Sequence, residues 1–154
     1  MADKGPLERL AALGLELPGV TAPLAAYVPA VRSGSYVYTS GQLPMVDGAL
    51  AATGKVGADV SAEDAKALAR RCALNALAAV HDLVGLDAVV RVVKVVGFVA
   101  SDPSFTGQPG VVNGASELLG EVFGAAGAHA RSAVGVAALP MDAPVEVELI
   151  LEVA

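Results

Sequence analysis

Nine residues near the C-terminus, VEVELILEV (145–153), restrict the fold more than any other stretch of this chain. Val145, Val147, Leu149, Leu151 and Val153 alternate with Glu146, Glu148, Ile150 and Glu152, the two-residue period of a β-strand with one face in a core. The opposite face carries three carboxylates. Such a strand cannot stand alone. It needs paired neighbours, and it needs helices or a second sheet over its apolar side.

The helices are legible upstream. Ser61-Ala62-Glu63-Asp64 supplies an N-cap and first-turn acids that suit the helix dipole. Leu68, Cys72, Ala76, Leu77, Val80, Leu83 and Val84 then recur at helical spacing, with Gly85 as the stop. A second helix is predicted from Val111 to Phe123, burying Val112, Ala115, Leu119, Val122 and Phe123. Between the helices, AVVRVVKVVGFVA (88–100) reads as a largely buried strand. Earlier, AYVPAVRSGSYVYTSGQLP reads as two strands around the turn Arg32–Ser35. VDGALAATGKVGAD and SDPSFTGQPG are loop-like, the former with room for one short strand. The order strand-strand, helix, strand, helix, strand-strand predicts an α+β fold with both helices on one face of a mixed sheet. The uncovered face then points to self-association. Residues 1–24 form an N-terminal helical extension, with Pro6 at its start and Gly14 at its stop, and residues 25–154 form the domain.

Composition bounds the partners. The chain has 154 residues and a formal net charge of −6, with scattered basic residues, a poor match to a nucleic-acid surface. Cys72 is the only cysteine, so no intrachain disulfide or cysteine-based metal site is expected; it falls on the apolar stripe of the first long helix and reads as core. The N-terminus lacks the apolar run of a signal peptide, and no apolar stretch approaches membrane-spanning length. A soluble cytoplasmic protein is expected.

One residue asks for a ligand. In HARSAVGVAALP (129–140), Arg131 is the only Lys or Arg between Val95 and the C-terminus, and burying a guanidinium unpaired is costly. A tight hairpin through LPMDAP, with Ala138 opposite Val145, would place Arg131, Ala133, Gly135 and Ala137 on the face of Glu146, Glu148 and Glu152. Arg131 would then meet Glu148 or Glu152, or a bound carboxylate; both readings stay open. A one-residue slip would exchange the faces. Other signals are weaker. TGKVGAD lacks the frame of a phosphate loop, Ser40 has no histidine nearby in sequence, and His129 reads as the residue leading into the strand rather than a base.

YVYTSGQLP (36–44), NALAAV (75–80), VVNGASELLGEVFG (111–124) and ARSAVGVAALPMDAPVEVELI (130–150) together resemble the Rid (reactive intermediate deaminase) family, also called YjgF or L-PSP endoribonucleases. The resemblance implies a chorismate-mutase-like fold, three subunits around a central barrel, and sites in the clefts between them. It implies hydrolysis of 2-imino acids, formed from enamines such as 2-aminoacrylate, to 2-keto acids and ammonia without a metal or organic cofactor. In that pattern Arg131 clamps the substrate carboxylate and Glu146 positions water. Tyr27 on the first strand, Ser40, Gly41 and Asn113 bind substrate. The partners implied are a small imino or keto acid and two further copies of the chain, with neither nucleic acid nor membrane. The alternative is a non-catalytic module that binds a small carboxylate in the same clefts; a ribonuclease fits the acidic balance poorly. The chain departs from the pattern at Ala133, where the deaminases carry cysteine, and at Ala25-Ala26, where Gly-Pro is usual. Its loops after Gln42 and at 101–110 look longer, and the N-terminal helix is extra. These departures mark a divergent subgroup with a different or larger substrate.

Overall fold

The computed structural model describes residues 3–20 and 26–154; the expected boundary at 24/25 lies outside them. The elements are α1 (Pro6–Ala12), β1 (Ala30–Ser33), β2 (Tyr36–Thr39), β3 (Met45–Val46), β4 (Ala49–Leu50), α2 (Ala62–Val84), β5 (Val89–Ala100), α3 (Gln108–Phe123), β6 (Ala130–Val136) and β7 (Val145–Val153). The sheet order is β1-β2-β7-β5-β6, and β3–β4 is a separate small hairpin inside the Gly-rich stretch. No helix is long and apolar enough to cross a membrane among the described residues.

Local chemistry sets the boundaries. Ser61 Oγ accepts from the Asp64 backbone N–H at 3.1 Å, opening α2 as an N-cap. Gly85, at φ 79°, closes it. Gly34, at φ 59°, takes the first of the two turn positions between β1 and β2, where a tight hairpin needs positive φ.

The alternation of β7 is realised in full: its valines and leucines are buried and its glutamates and Ile150 half-buried. β7 lies at the centre of the sheet, antiparallel to β2 on one side and β5 on the other. α2 and α3 cover one face, closing a core around Leu77, Leu118, Leu119, Val95, Leu149 and Leu151. Burial of each such side chain contributes roughly 1.5–3 kcal/mol. The cover is close. A Cβ on Gly97 of β5 would run into the Val112 side chain of α3. α1 belongs to this packing too, because Leu10 is only 2% exposed within the core. Leu83, predicted on the apolar stripe of α2, instead stands at the surface near the helix end.

The C-terminal pairing differs from expectation. β6 does not form a hairpin with β7. It runs parallel to β5, with Arg131 opposite Val95. The reason is topological: β5, α3 and β6 form a crossover unit, which sets its second strand parallel to its first. β7 then occupies the other side of β5. The expected shared face is overturned with the hairpin. Arg131 and Ala133 align with Val95 and Gly97 on the helix-covered face, and Ala133 packs against the core. Glu146 and Glu148 align with Phe98 and Val96 on the open face.

Candidate functional site at two sheet edges

β6 is an edge strand, and it presents Arg131 beside α3. The guanidinium Nη1 donates to Asn113 Oδ1 at 2.7 Å and to Ser116 Oγ at 3.2 Å. Asn113 and Ser116 stand three residues apart on α3 and so share a face. Ser116 also lies 2.9 Å from His129 Nε2, and His129 Nδ1 lies 2.6 Å from the Gly127 carbonyl. The carbonyl can only accept, so Nδ1 carries the proton. In the neutral ring Nε2 then accepts the Ser116 hydroxyl proton, which leaves the Ser116 oxygen facing Arg131 as an acceptor. The chain of donors runs from Arg131 through Ser116 and His129 to Gly127. His129 therefore does more than lead into the strand. Neither Ser116 nor this role of His129 was legible in the sequence, because the contacts join α3 to the start of β6.

Arg131 Nε and Nη2 have no partner among the described residues, and no carboxylate lies within ion-pair distance. Neither Glu148 nor Glu152 is its partner. A half-buried guanidinium is thus oriented on one edge and free on the other, the arrangement that fits a planar carboxylate.

The other expected site residues collect elsewhere. Ser40 follows β2 and donates its hydroxyl to the Val28 carbonyl at 2.6 Å, fixing the segment that carries Tyr27. Tyr27 precedes β1 rather than lying on it, and it is 58% exposed. Gly41 lies against the Glu146 side chain; a Cβ there would overlap Glu146 Oε1, so this position admits only glycine while the carboxylate stays in place. Gln42 bridges to Val147 on β7. Arg131 on β6 is three strand spacings from β2, about 14 Å. One chain therefore holds two separate groups: Arg131 with Asn113 at one edge, and Tyr27, Ser40 and Gly41 towards the other, with Glu146 beside Gly41.

Glu146 is half-buried, and its carboxyl is held above its ordinary pKa, chiefly by burial and then by the like charge of Glu148. A carboxyl with a raised folded-state pKa stabilises the fold below its unfolded value, and that contribution is lost as pH rises through the folded value. Glu146→Gln should therefore raise the melting temperature at about pH 7, and the gain should shrink towards about pH 4; thermal melts across that range check it. Beneath this strand Cys72 is fully buried, with its thiol pushed up first by burial and then by Glu146. It is a core residue with an inert thiol. No cluster of three or more His, Cys, Asp or Glu side chains suited to a metal occurs among the described residues.

Comparison with known proteins agrees with this architecture. Residues 7–153 match the YjgF/chorismate-mutase-like family, whose description also carries an endoribonuclease label. Protein TCP17 of Trypanosoma cruzi is 48% identical over 142 residues, covering 91% of this chain and 89% of its own. The crystal structure of Atu1372 from Agrobacterium tumefaciens is similar at 46% identity and a TM-score of 0.89, over 96% of this chain and 91% of that one. E. coli TdcF, solved with bound serine, is similar at 25% identity and a TM-score of 0.65, over 86% and 92% of the two chains.

Proposed function

This chain belongs to the YjgF/chorismate-mutase-like (Rid) family, and we propose that it hydrolyses 2-imino acids to 2-keto acids and ammonia in clefts between the subunits of a homotrimer. The observation that carries this reading is Arg131: a guanidinium held by Asn113 and Ser116, with its remaining N–H groups unpartnered among the described residues. A substrate carboxylate is the anion it is shaped to meet. The bound serine of TdcF, a small amino acid, is of the same chemical class.

The separation of the two groups within one chain supports a shared site. Arg131 and Asn113 of one copy would face Tyr27, Ser40 and Gly41 of the next. The open sheet face supplies a means of association, since Val31, Tyr36, Tyr38 and Val134 on it are 52%, 43%, 43% and 43% exposed, too much apolar surface on one side for a solitary sheet.

The chemistry asks little of the protein. A protonated imine carbon is already electrophilic. Arg131 fixes its orientation through the carboxylate. Glu146 accepts a proton from water as its oxygen bonds to that carbon. Glu146 passes that proton to nitrogen, the carbon–nitrogen bond breaks, and ammonia leaves as the added hydroxyl gives its remaining proton back to the Glu146 carboxylate and the ketone forms. The environment that raises the Glu146 carboxyl brings its pKa closer to the working pH, which suits a general base.

The test is ammonia release from 2-iminopropanoate and 2-iminobutanoate generated in situ, with Arg131→Ala beside the wild type and assembly checked by light scattering. Acceleration lost in an assembled variant supports the reading. No acceleration over buffer by the wild type sinks it. His129 offers a finer check. His129→Phe leaves the Ser116 hydroxyl without its acceptor, and loss of one such bond is expected to raise KM about fivefold with kcat little changed. His129→Gln, which retains an acceptor, should recover most of that loss.

A further inference from the structure

We infer that Arg71 is a second anion clamp, which reads an acidic group at the far end of the substrate side chain, so that the preferred substrates are 2-imino acids bearing a second carboxylate. This rests on the deaminase reading above and names its substrate class. A cavity of about 1160 Å³ opens beside the candidate half-site, and Tyr27 and Gly41 both line it. Arg71 and Asn75, one turn apart on α2, line it as well.

Both side chains are pinned to the segment that leads from Gly41 into β3. Arg71 Nε donates to the Met45 carbonyl at 2.9 Å, and Asn75 Nδ2 donates to the carbonyls of Leu43 and Met45 at 3.0 and 3.1 Å. The Arg71 guanidinium is thereby oriented while its Nη1 and Nη2 keep no partner among the described residues. Asp47 and Glu16 line the same cavity, but neither comes within ion-pair distance of it.

The setting repeats that of Arg131: a half-buried guanidinium, braced through one part of its fork and open through the other. A three- or four-carbon imino acid held beside Tyr27 and Gly41 would leave Arg71 facing water. An acid with a longer side chain lays its carbons along Leu43 and Leu74 and brings its second carboxylate to the guanidinium.

Stable keto-acid products test this by calorimetric titration. The wild type should bind 2-oxoglutarate about tenfold or more tightly than 2-oxobutanoate, the worth of one charge-assisted contact. Arg71→Met should erase that preference and leave 2-oxobutanoate affinity unchanged, while Arg131→Met should weaken both ligands. Arg71→Gln, which can still donate to the Met45 carbonyl, guards against loss of local structure and should also erase the preference. Equal affinities in the wild type, or a preference that survives both Arg71 variants, overturns the inference alone. Affinities unmoved by Arg131→Met overturn the reading beneath it, and this inference with it.

Discussion

Arg131→Lys is expected to lower kcat/KM for 2-imino acid hydrolysis by about 100-fold, although charge is conserved, because truncating a hydrogen-bonded charge pair costs about 2–5 kcal/mol and tenfold in rate is about 1.4 kcal/mol. The geometry explains why the conservative change fails. One arm of the guanidinium is committed to Asn113 and Ser116 at 2.7 and 3.2 Å. The opposite edge is what remains for a carboxylate. A lysine ammonium is a single point with no second edge, so it can satisfy Asn113 or meet the substrate squarely, but not both. The loss should appear in KM and kcat together, since a substrate held by a mobile ammonium is also badly aligned for attack. Steady-state rates on both imino acids, with assembly compared with the wild type by light scattering, decide the matter. Retention of more than about one-third of wild-type kcat/KM in Arg131→Lys would show that plain positive charge suffices and that the fork is not used.

The parts of the fold legible in sequence are those written in local periodicity. β7 declares itself by alternation, α2 by its cap and apolar stripe, and Cys72 as core by its place on that stripe. The pairing of β6 is different in kind. Alternation shows that a strand has two faces and says nothing of which strand lies beside it. A short connection through LPMDAP looks like a hairpin, yet the crossover through α3 had already placed β6 along the far side of β5. That one error of partner moved Arg131 to the opposite face from Glu146. The site residues taken from the family resemblance are placed by the structure in two groups, and the periodicity of no single segment could show that split. Ser116 escaped for a related reason: its value lies in touching both Arg131 and His129, residues brought to it by the fold alone. The cavity beside Arg71 likewise depends on the N-terminal segment and α2 lining one space, a juxtaposition with no signature in the sequence of either segment.

Gly114→Ala is expected to destabilise the fold by about 2–3 kcal/mol, lowering the melting temperature by roughly 5–10 °C for a domain of this size. Alanine is ordinarily the better helix residue, so the expected sign must come from packing. Gly114 lies on the buried face of α3, where a Cβ would overlap the Lys66 carbonyl of α2, with the Arg70 backbone nitrogen next nearest. Both obstacles are backbone atoms, so no side chain can swing aside, and the helices must separate across a close-packed core. The surface ion pairs that flank this crossing, Lys66–Glu117 and Arg70–Glu121, are partly exposed and cannot offset such a loss. Gly110, one turn earlier on the same helix, has nothing within 4 Å of its would-be Cβ. There the same substitution should stabilise by about 0.5–1 kcal/mol, because alanine loses less conformational freedom than glycine in a helix. Paired thermal melts of the two variants separate packing from propensity. If both fall on the same side of the wild type, the close approach of α2 and α3 at Gly114 is not what holds that glycine in place.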